Sequence, residues 1–111
     1  MLLSRFKSIS DQVYTLIISC YFKYVTQQRA YFGAGNSNGV FIDLSNGTII
    51  SAQANVDSYS ITNVGNGWYR VQVTDLNPAG NGGCFIAFAN ASLQTTYAAN
   101  GTDSFLVYGA Q

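Results

Sequence analysis

Five aspartates are the only acidic side chains in this chain of 111 residues, which contains neither glutamate nor histidine. Glycoside hydrolysis usually needs two carboxyl groups held a few ångströms apart, one of them with a raised pKa. Most of these aspartates stand beside turn-forming residues, where Asp normally hydrogen-bonds its own backbone. Without histidine there is also no conventional serine or cysteine triad. The sequence therefore predicts a protein that is not an enzyme. The aspartates are Asp11, Asp43, Asp57, Asp75 and Asp103.

The aspartates and two cysteines are also the residues that could bind a metal. A zinc site of the usual kind lacks its histidine ligands. Calcium takes oxygen ligands from loops, and Asp43 or Asp103 offers one, but turn formation is the favoured interpretation of both. Cys20 and Cys84 have neither metal-ligand nor redox-motif spacing. We expect two buried free thiols, bridged only if their strands are adjacent, and we predict no cofactor and no metal.

The segment GNGWYRVQVTD, residues 65–75, contains the side chains best suited to binding. Gly65-Asn66-Gly67 is typical of a tight turn, and the residues after it alternate as in a strand, whose side chains point to opposite faces. We expect the set with Tyr69 to face the core and the set with Trp68 to face the other way. The core set is Tyr69, Val71 and Val73, and the other set is Trp68, Arg70, Gln72 and Thr74.

Two interpretations of Trp68 follow from this placement. An exposed indole beside Arg70 and Gln72 offers an apolar plate and hydrogen-bonding groups, which is what a sugar ring needs to stack and be oriented. Alternatively, Trp68 is covered by residues 90–103 or by another strand, with Arg70 lying over the ring as a cation–π lid. The second interpretation is the favoured one. Trp68, Arg70 and Gln72 are the candidate contacts to a glycan or a protein partner.

Composition restricts the partners. Charged residues make up 9% of the chain and its formal net charge is zero, whereas an ordinary soluble domain has about 25% charged residues. Nucleic acid and anionic membranes need clustered Lys and Arg, so neither partner is expected. A surface with so little repulsion between copies favours association. The apolar run from Val13 to Phe22 is too short and too polar to span a bilayer and is interpreted as a strand.

The strands that position these residues are separated by Asn-Gly and other Gly-rich sequences, which form tight hairpin turns. Between them lie short runs rich in Val, Ile, Thr, Tyr and Phe. The prediction is an all-β fold, an antiparallel two-sheet β-sandwich or jelly roll over residues 13–111, preceded by an N-terminal arm or edge strand over residues 1–12. Residues 90–103 are expected to cross one end of the sandwich. The predicted strands are 14–25, 28–34, 39–44, 48–53, 58–63, 67–75, 83–89 and 104–111.

Four segments, VYTLIISCYFKY, GVFIDLSNGTIIS, YSITNVGNGWYRVQVT and FLVYGAQ, together resemble a module repeated in structural proteins of tailed bacteriophages. That module is similar to carbohydrate-binding modules of the concanavalin A-like jelly-roll type. The resemblance covers about residues 13 to 111. It implies a virion protein assembled in the host cytoplasm, as a capsid decoration protein or a component of a head or tail fibre.

The same resemblance implies partners. They are other virion proteins such as the major capsid or tail proteins, with a host glycan as a further candidate. In enzyme-linked relatives, aromatic and polar surface residues bind glycan, but Trp68 matches a position that is structural across such modules, so a sugar role is not carried over to it. The module commonly has more chain before the YTL strand. Residues 1–10 or a neighbouring chain would supply that edge, so we expect a homo-oligomer, for instance a trimer.

Overall fold

The computed structural model describes residues 15–34, 38–76, 84–98 and 100–110, and within these ranges the chain forms eight strands and no helix. Every predicted strand is confirmed, with ends that differ by at most three residues. The N-terminal arm predicted over residues 1–12 lies outside the described residues. The strands are β1 Leu16–Tyr24, β2 Arg29–Gly33, β3 Gly39–Asp43, β4 Thr48–Ala52, β5 Ser58–Gly65, β6 Trp68–Asp75, β7 Phe85–Ala89 and β8 Phe105–Tyr108.

Two four-stranded antiparallel sheets make up the sandwich, which confirms the predicted fold class. The first sheet has the order β5-β6-β1-β8 and the second has the order β4-β3-β2-β7. In the second sheet three consecutive strands are followed by a later strand that returns beside the first of them, which is the Greek-key order on which jelly rolls are built. The connection from β7 to β8, including the loop at residues 90–98 and 100–104, crosses from the second sheet to the first, as predicted.

The core lies between the sheets and is made by the inward-facing residues of both. The rings of Phe22 in β1 and Phe32 in β2 meet edge to face with centroids 5.5 Å apart, and both side chains are fully buried. Burying each such ring stabilises the fold by about 1.5–3 kcal/mol. The buried cluster consists of Ile18, Cys20, Phe22, Ala30, Phe32, Ala34, Val40, Ile42, Leu44, Val71 and Val73.

The outer face of the second sheet is closed by Tyr31. Its ring lies across Gly33 and Gly39, where any Cβ atom would collide with it, and its hydroxyl donates to Gln53 Oε1 at 2.8 Å. The side chain packs against Phe41 and is buried, and burial raises the pKa of the Tyr31 hydroxyl. Tyr31 therefore covers the two glycines at the end of the β2–β3 pair.

Candidate functional site

The site is built on β6, which lies between β5 and β1 in the first sheet. Val71 and Val73 are 0% and 1% exposed in the core. Because side chains alternate along a strand, Trp68, Arg70 and Gln72 share the outer face, and all three are partly exposed. The structure therefore confirms the predicted division of β6 into a core face and an outer face.

Strand register assembles the rest of this face. On β1, Lys23, Tyr21 and Ser19 lie opposite Trp68, Arg70 and Gln72. On the other side of β6, strand β5 places Thr62 and Ser60 beside Arg70 and Gln72. On β8, Tyr108 and Leu106 continue the rows of Tyr21 and Lys23. The outer face is thus neutral and polar along β5 and β6 and becomes aromatic where β6, β1 and β8 meet.

An open cleft of about 390 Å³ lies at this aromatic end. Its rings are tilted against one another, with centroid distances of 6.5 Å from Tyr108 to Trp68 and 6.0 Å from Tyr108 to Tyr21. Tyr108 is 70% exposed, the most exposed large apolar side chain in the described part of the chain. We call this feature the aromatic cleft. It is lined by Tyr21, Val64, Gly65, Asn66, Trp68 and Tyr108.

The hairpin between β5 and β6 forms one wall of the aromatic cleft. Asn66 and Gly67 both have positive φ, at 57° and 83°, which is the conformation of a two-residue type I′ turn and confirms the tight turn predicted here. The register shifts between Asn63 and Gly65, so Val64 is an extra residue in β5. The side chain of Val64 is on the same outer face of β5 as Ser60 and Thr62 and lines the cleft.

A cation does lie over Trp68, but it is Lys23 and not Arg70. The Lys23 ammonium is 5.9 Å from the centroid of the indole ring, whereas Arg70 Nη1 donates to Gln72 Oε1 at 3.1 Å. The predicted lid was therefore assigned to the wrong residue, because Lys23 is the cross-strand neighbour of Trp68 and Arg70 is two positions along the same strand. The ring that covers Trp68 belongs to another strand, β8, through Tyr108.

Tyr21, Lys23 and Tyr108 are the contributors to this site that the sequence reasoning missed. A signal for the first two was present, because Ile18, Cys20 and Phe22 form the apolar half of an alternating strand and Tyr21 and Lys23 occupy the other half. Nothing local in FLVYG indicates that Tyr108 lies beside Tyr21, 87 residues earlier. That contact depends on the pairing of β1 with β8.

Each described aspartate accepts a hydrogen bond from a different partner. Asp57 Oδ2 accepts from the backbone N–H of Leu76 at 2.6 Å, and Asp75 Oδ2 accepts from Asn38 at 2.8 Å in the interior. Asp103 Oδ2 accepts from Asn100 at 2.9 Å in the β7–β8 loop. Among the described residues, no three or more His, Cys, Asp or Glu side chains come together as a metal site would require. Asp11 lies outside the described residues.

Asp43 forms a turn, as the favoured interpretation predicted. Its Oδ1 accepts from the backbone N–H of Ser45 at 3.0 Å and from the Ser45 hydroxyl, while Oδ2 accepts from Gln28 at 3.1 Å. Partial burial by itself raises the pKa of the carboxyl, but the hydrogen bonds from Ser45 and Gln28 and the nearby charge of Arg29 outweigh it. The pKa of Asp43 therefore lies below its ordinary value.

Both cysteines are free, as predicted, but only Cys20 is buried. Its Sγ lies 3.6 Å from the backbone oxygens of Tyr21 and Tyr108, and burial raises the pKa of the thiol. Cys84 is exposed, which corrects the prediction of two buried thiols, because it precedes β7 at the edge of the second sheet. Partial covering of its thiol still raises its pKa.

No protein-family model, no curated protein and no solved structure matches this chain. In the ranges described, the chain has no helix with the length and apolar character needed to cross a membrane.

Proposed function

We propose that the chain is a non-enzymatic β-sandwich module of a bacteriophage virion, part of a capsid decoration protein or of a head or tail fibre, and that it acts by surface contact. The observation that carries the proposal is the distribution of exposed apolar side chains. Of eleven large ones in the described residues, nine belong to the strands of the first sheet or directly follow them. They are Ile17, Tyr24, Val25, Tyr59, Val64, Leu76, Leu106, Val107 and Tyr108.

Such exposure is unusual for a chain that remains a monomer, because soluble monomers rarely leave large apolar patches in water. The centres of protein interfaces are depleted in charged residues and enriched in aromatic ones. The outer face of the first sheet has this character, with Trp68, Tyr21 and Tyr108 at one end and neutral Ser60, Thr62 and Gln72 along its middle. These features support contact with another protein as the main role.

The edge at β8 supports a homo-oligomer in particular. Within the described ranges β8 pairs only with β1, and an unpaired strand edge is a template for pairing with another chain. Leu106, Val107 and Tyr108 are all about half exposed or more. A second copy seated on β8 would bury these side chains and pair the open backbone groups, while the rest of the first sheet would remain free for the major capsid or tail proteins.

Sedimentation of two matched variants tests this proposal. Leu106→Asp places a carboxylate on exposed β8, and Ile50→Asp places one on exposed β4 in the second sheet. We expect the parent chain and Ile50→Asp to sediment as oligomers and Leu106→Asp to sediment as a folded monomer, with circular dichroism as the control for folding. A monomeric parent chain, or equal behaviour of the two variants, contradicts assembly through β8.

The virion itself provides a second test. Particles that lack the protein should lose stability to heat or should adsorb differently to host cells. Particles that are equally stable and equally adsorptive without it would refute the virion role.

Carbohydrate binding is the second candidate function, and the aromatic cleft favours it. Three rings from three strands converge there, and Arg70, held by Gln72, supplies donors beside them. Aromatic faces bind the apolar face of a sugar ring, while the polar groups orient its hydroxyls. We expect any glycan bound here to stack on Trp68 or Tyr108.

A glycan array with two cleft variants and one control tests this candidate. Trp68→Ala and the more exposed Tyr108→Ala should abolish a saturable glycan signal while circular dichroism shows an intact fold. Tyr59→Ala, at an exposed tyrosine elsewhere on the first sheet, should keep the signal. An array without any signal, or one that all three variants weaken alike, favours the purely structural role.

A further inference from the structure

A second cleft lies at the end of the sandwich where β1 turns into β2 and where the β7–β8 loop crosses between the sheets. Its volume is about 280 Å³, at the lower limit of small-molecule sites, which begin at about 300 Å³. Its lining is mainly polar, unlike that of the aromatic cleft. We call it the polar cleft, and the side chains that matter to its chemistry are Gln27, Arg29, Tyr97 and Asp103.

Gln27 is the unusual member of this set, because its side chain is only 7% exposed and half of its amide has no partner. Nε2 donates to the backbone oxygens of Arg29 at 2.8 Å and Ala89 at 2.9 Å, so both amide hydrogens are used. The carbonyl Oε1 accepts no hydrogen bond within the part of the chain that the structure describes. Rotating the amide would lose both existing bonds, and an unpaired buried acceptor is costly.

Unused hydrogen-bonding groups surround Gln27. Among the described residues, the Arg29 guanidinium makes no hydrogen bond and Asp103 Oδ1 accepts none, since only Oδ2 is bound to Asn100. The Tyr97 hydroxyl lies 3.5 Å from Gln27 Nε2 as a weak acceptor and keeps its own hydrogen free to donate. The polar cleft therefore offers two acceptors, Gln27 Oε1 and Asp103 Oδ1, and two donors, Tyr97 and Arg29. The charge of Arg29 also acts on Asp43, which lies directly opposite Arg29 on β3.

The backbone around these groups is held in place. Ser104 O accepts from the backbone N–H groups of Thr26 and Gln27 at 2.9 and 2.8 Å, and the Ser104 N–H donates to Thr26 Oγ1 at 3.0 Å. Asn100 Oδ1 accepts from the N–H of Asp103 at 3.0 Å. The loop and the β1–β2 turn are thus tied together, so the binding groups are ordered before a ligand arrives, which favours affinity.

We infer that the polar cleft binds one neutral sugar residue through its hydroxyl groups. A hydroxyl both donates and accepts, so neighbouring hydroxyls can donate to Gln27 Oε1 and Asp103 while they accept from Arg29 and Tyr97. The volume suits a single ring, and the opposite charges of Arg29 and Asp103, which both line the cleft, do not favour a ligand with net charge. Calcium is disfavoured, because the cationic residue Arg29 lines the same cleft. This inference goes beyond the proposed function and stands whether or not the aromatic cleft binds glycan.

Titration followed by ¹⁵N-resolved NMR tests the inference with glucose, galactose, mannose and N-acetylglucosamine as separate probes. At least one sugar should shift the Gln27 side-chain amide signals saturably, because Oε1 gains a hydrogen bond. Arg29→Lys, which keeps the charge but loses the planar fork, should weaken binding about tenfold or more. Tyr59→Phe, at an exposed tyrosine that lines neither cleft, should leave binding unchanged. Tyr97→Phe is the second cleft variant and keeps the ring should Arg29→Lys fail to fold.

Three results would overturn the inference. They are the absence of any Gln27 shift with all four sugars, a shift with calcium chloride or inorganic phosphate but with no sugar, and equal weakening by Tyr97→Phe and Tyr59→Phe. The indole N–H signal of Trp68 reports separately on the aromatic cleft. A sugar that shifts Trp68 but not Gln27 supports the glycan alternative there and contradicts the polar cleft, so the two proposals fail independently.

Discussion

Gly47 connects the two sheets through a contact that tolerates no side chain. It lies in the turn between β3 and β4 of the second sheet with φ at +70°, and the ring of Tyr69 from β6 packs directly on it. A Cβ atom at position 47 would lie far inside van der Waals contact with three atoms of that ring. Since Tyr69 stands between Trp68 and Arg70 on β6, Gly47→Ala should both destabilise the sandwich and displace the strand that carries the candidate site.

The cost of Gly47→Ala has two parts. A residue other than glycine in the left-handed region costs about 1–2 kcal/mol, and forcing the Tyr69 ring to move is an overpacking change of about 1–3 kcal/mol. Together they amount to roughly 2–5 kcal/mol, a large share of the roughly 5–15 kcal/mol that stabilises a typical domain. Gly101→Ala is the matched control, because Gly101 has φ at +77° and a methyl group added there would meet no atom within 4 Å. It should cost only the first part.

Urea unfolding followed by circular dichroism measures both variants, and a double-mutant cycle with Tyr69→Ala isolates the contact. In the Tyr69→Ala background the ring is gone, so Gly47→Ala should cost no more than Gly101→Ala does in the parent chain. If Gly47→Ala and Gly101→Ala lower the free energy of unfolding equally in the parent chain, the contact with Tyr69 does not constrain the turn and the reasoning is refuted.

Three further predictions concern single residues. The pKa of Asp43 is lowered on folding, so its contribution to stability is present above the unfolded pKa of about 3.9 and is lost as the pH falls through the folded pKa. The free energy of unfolding of the parent chain should therefore exceed that of Asp43→Asn by more at pH values well above these pKa values than at pH values well below them. Urea unfolding measures this difference. A thiol reagent should label Cys84 but not Cys20 in the folded chain, and labelling should speed up as the pH rises, whereas labelling of both without denaturant contradicts the burial of Cys20. Asn66→Val should destabilise the hairpin by about 1–2 kcal/mol because Asn66 has positive φ, while Asn66→Gly should be tolerated; similar melting temperatures for the two variants would contradict a type I′ turn.

Local patterns were enough to predict the strands and the faces of β6. Alternation places Val71 and Val73 inward whatever the neighbouring strands are, and the Asn66-Gly67 turn needs only its own two residues. The aromatic cleft depends on pairings between distant segments. Tyr108 reaches Tyr21 and Trp68 because β8 lies beside β1, and no pattern within either segment encodes that choice.

The prediction of Arg70 instead of Lys23 as the cation over Trp68 was wrong for the same reason, because that contact also depends on strand pairing. Positions 68 and 70 are on one face of one strand, which made Arg70 the natural candidate from sequence. Residues directly opposite one another on paired strands have Cβ atoms about 4.5–5.5 Å apart, closer than neighbours two positions apart along a strand. Lys23 is directly opposite Trp68, so cross-strand geometry brings Lys23 to the ring and leaves Arg70 to bind Gln72.

Strand β1 is the element on which both clefts depend. Its outer residues Tyr21 and Lys23 form the aromatic end of the first sheet, and the residues after it, Thr26 and Gln27, form the polar cleft. A slip of one residue in β1 would turn Tyr21 into the core and Phe22 into solvent. Eight consecutive residue pairs with β6 oppose such a slip, and so does the complete burial of Cys20 and Phe22. The buried apolar residues of β1 therefore fix its register, and the register in turn fixes the positions of Tyr21 and Lys23 at the aromatic end and of Gln27 at the polar cleft.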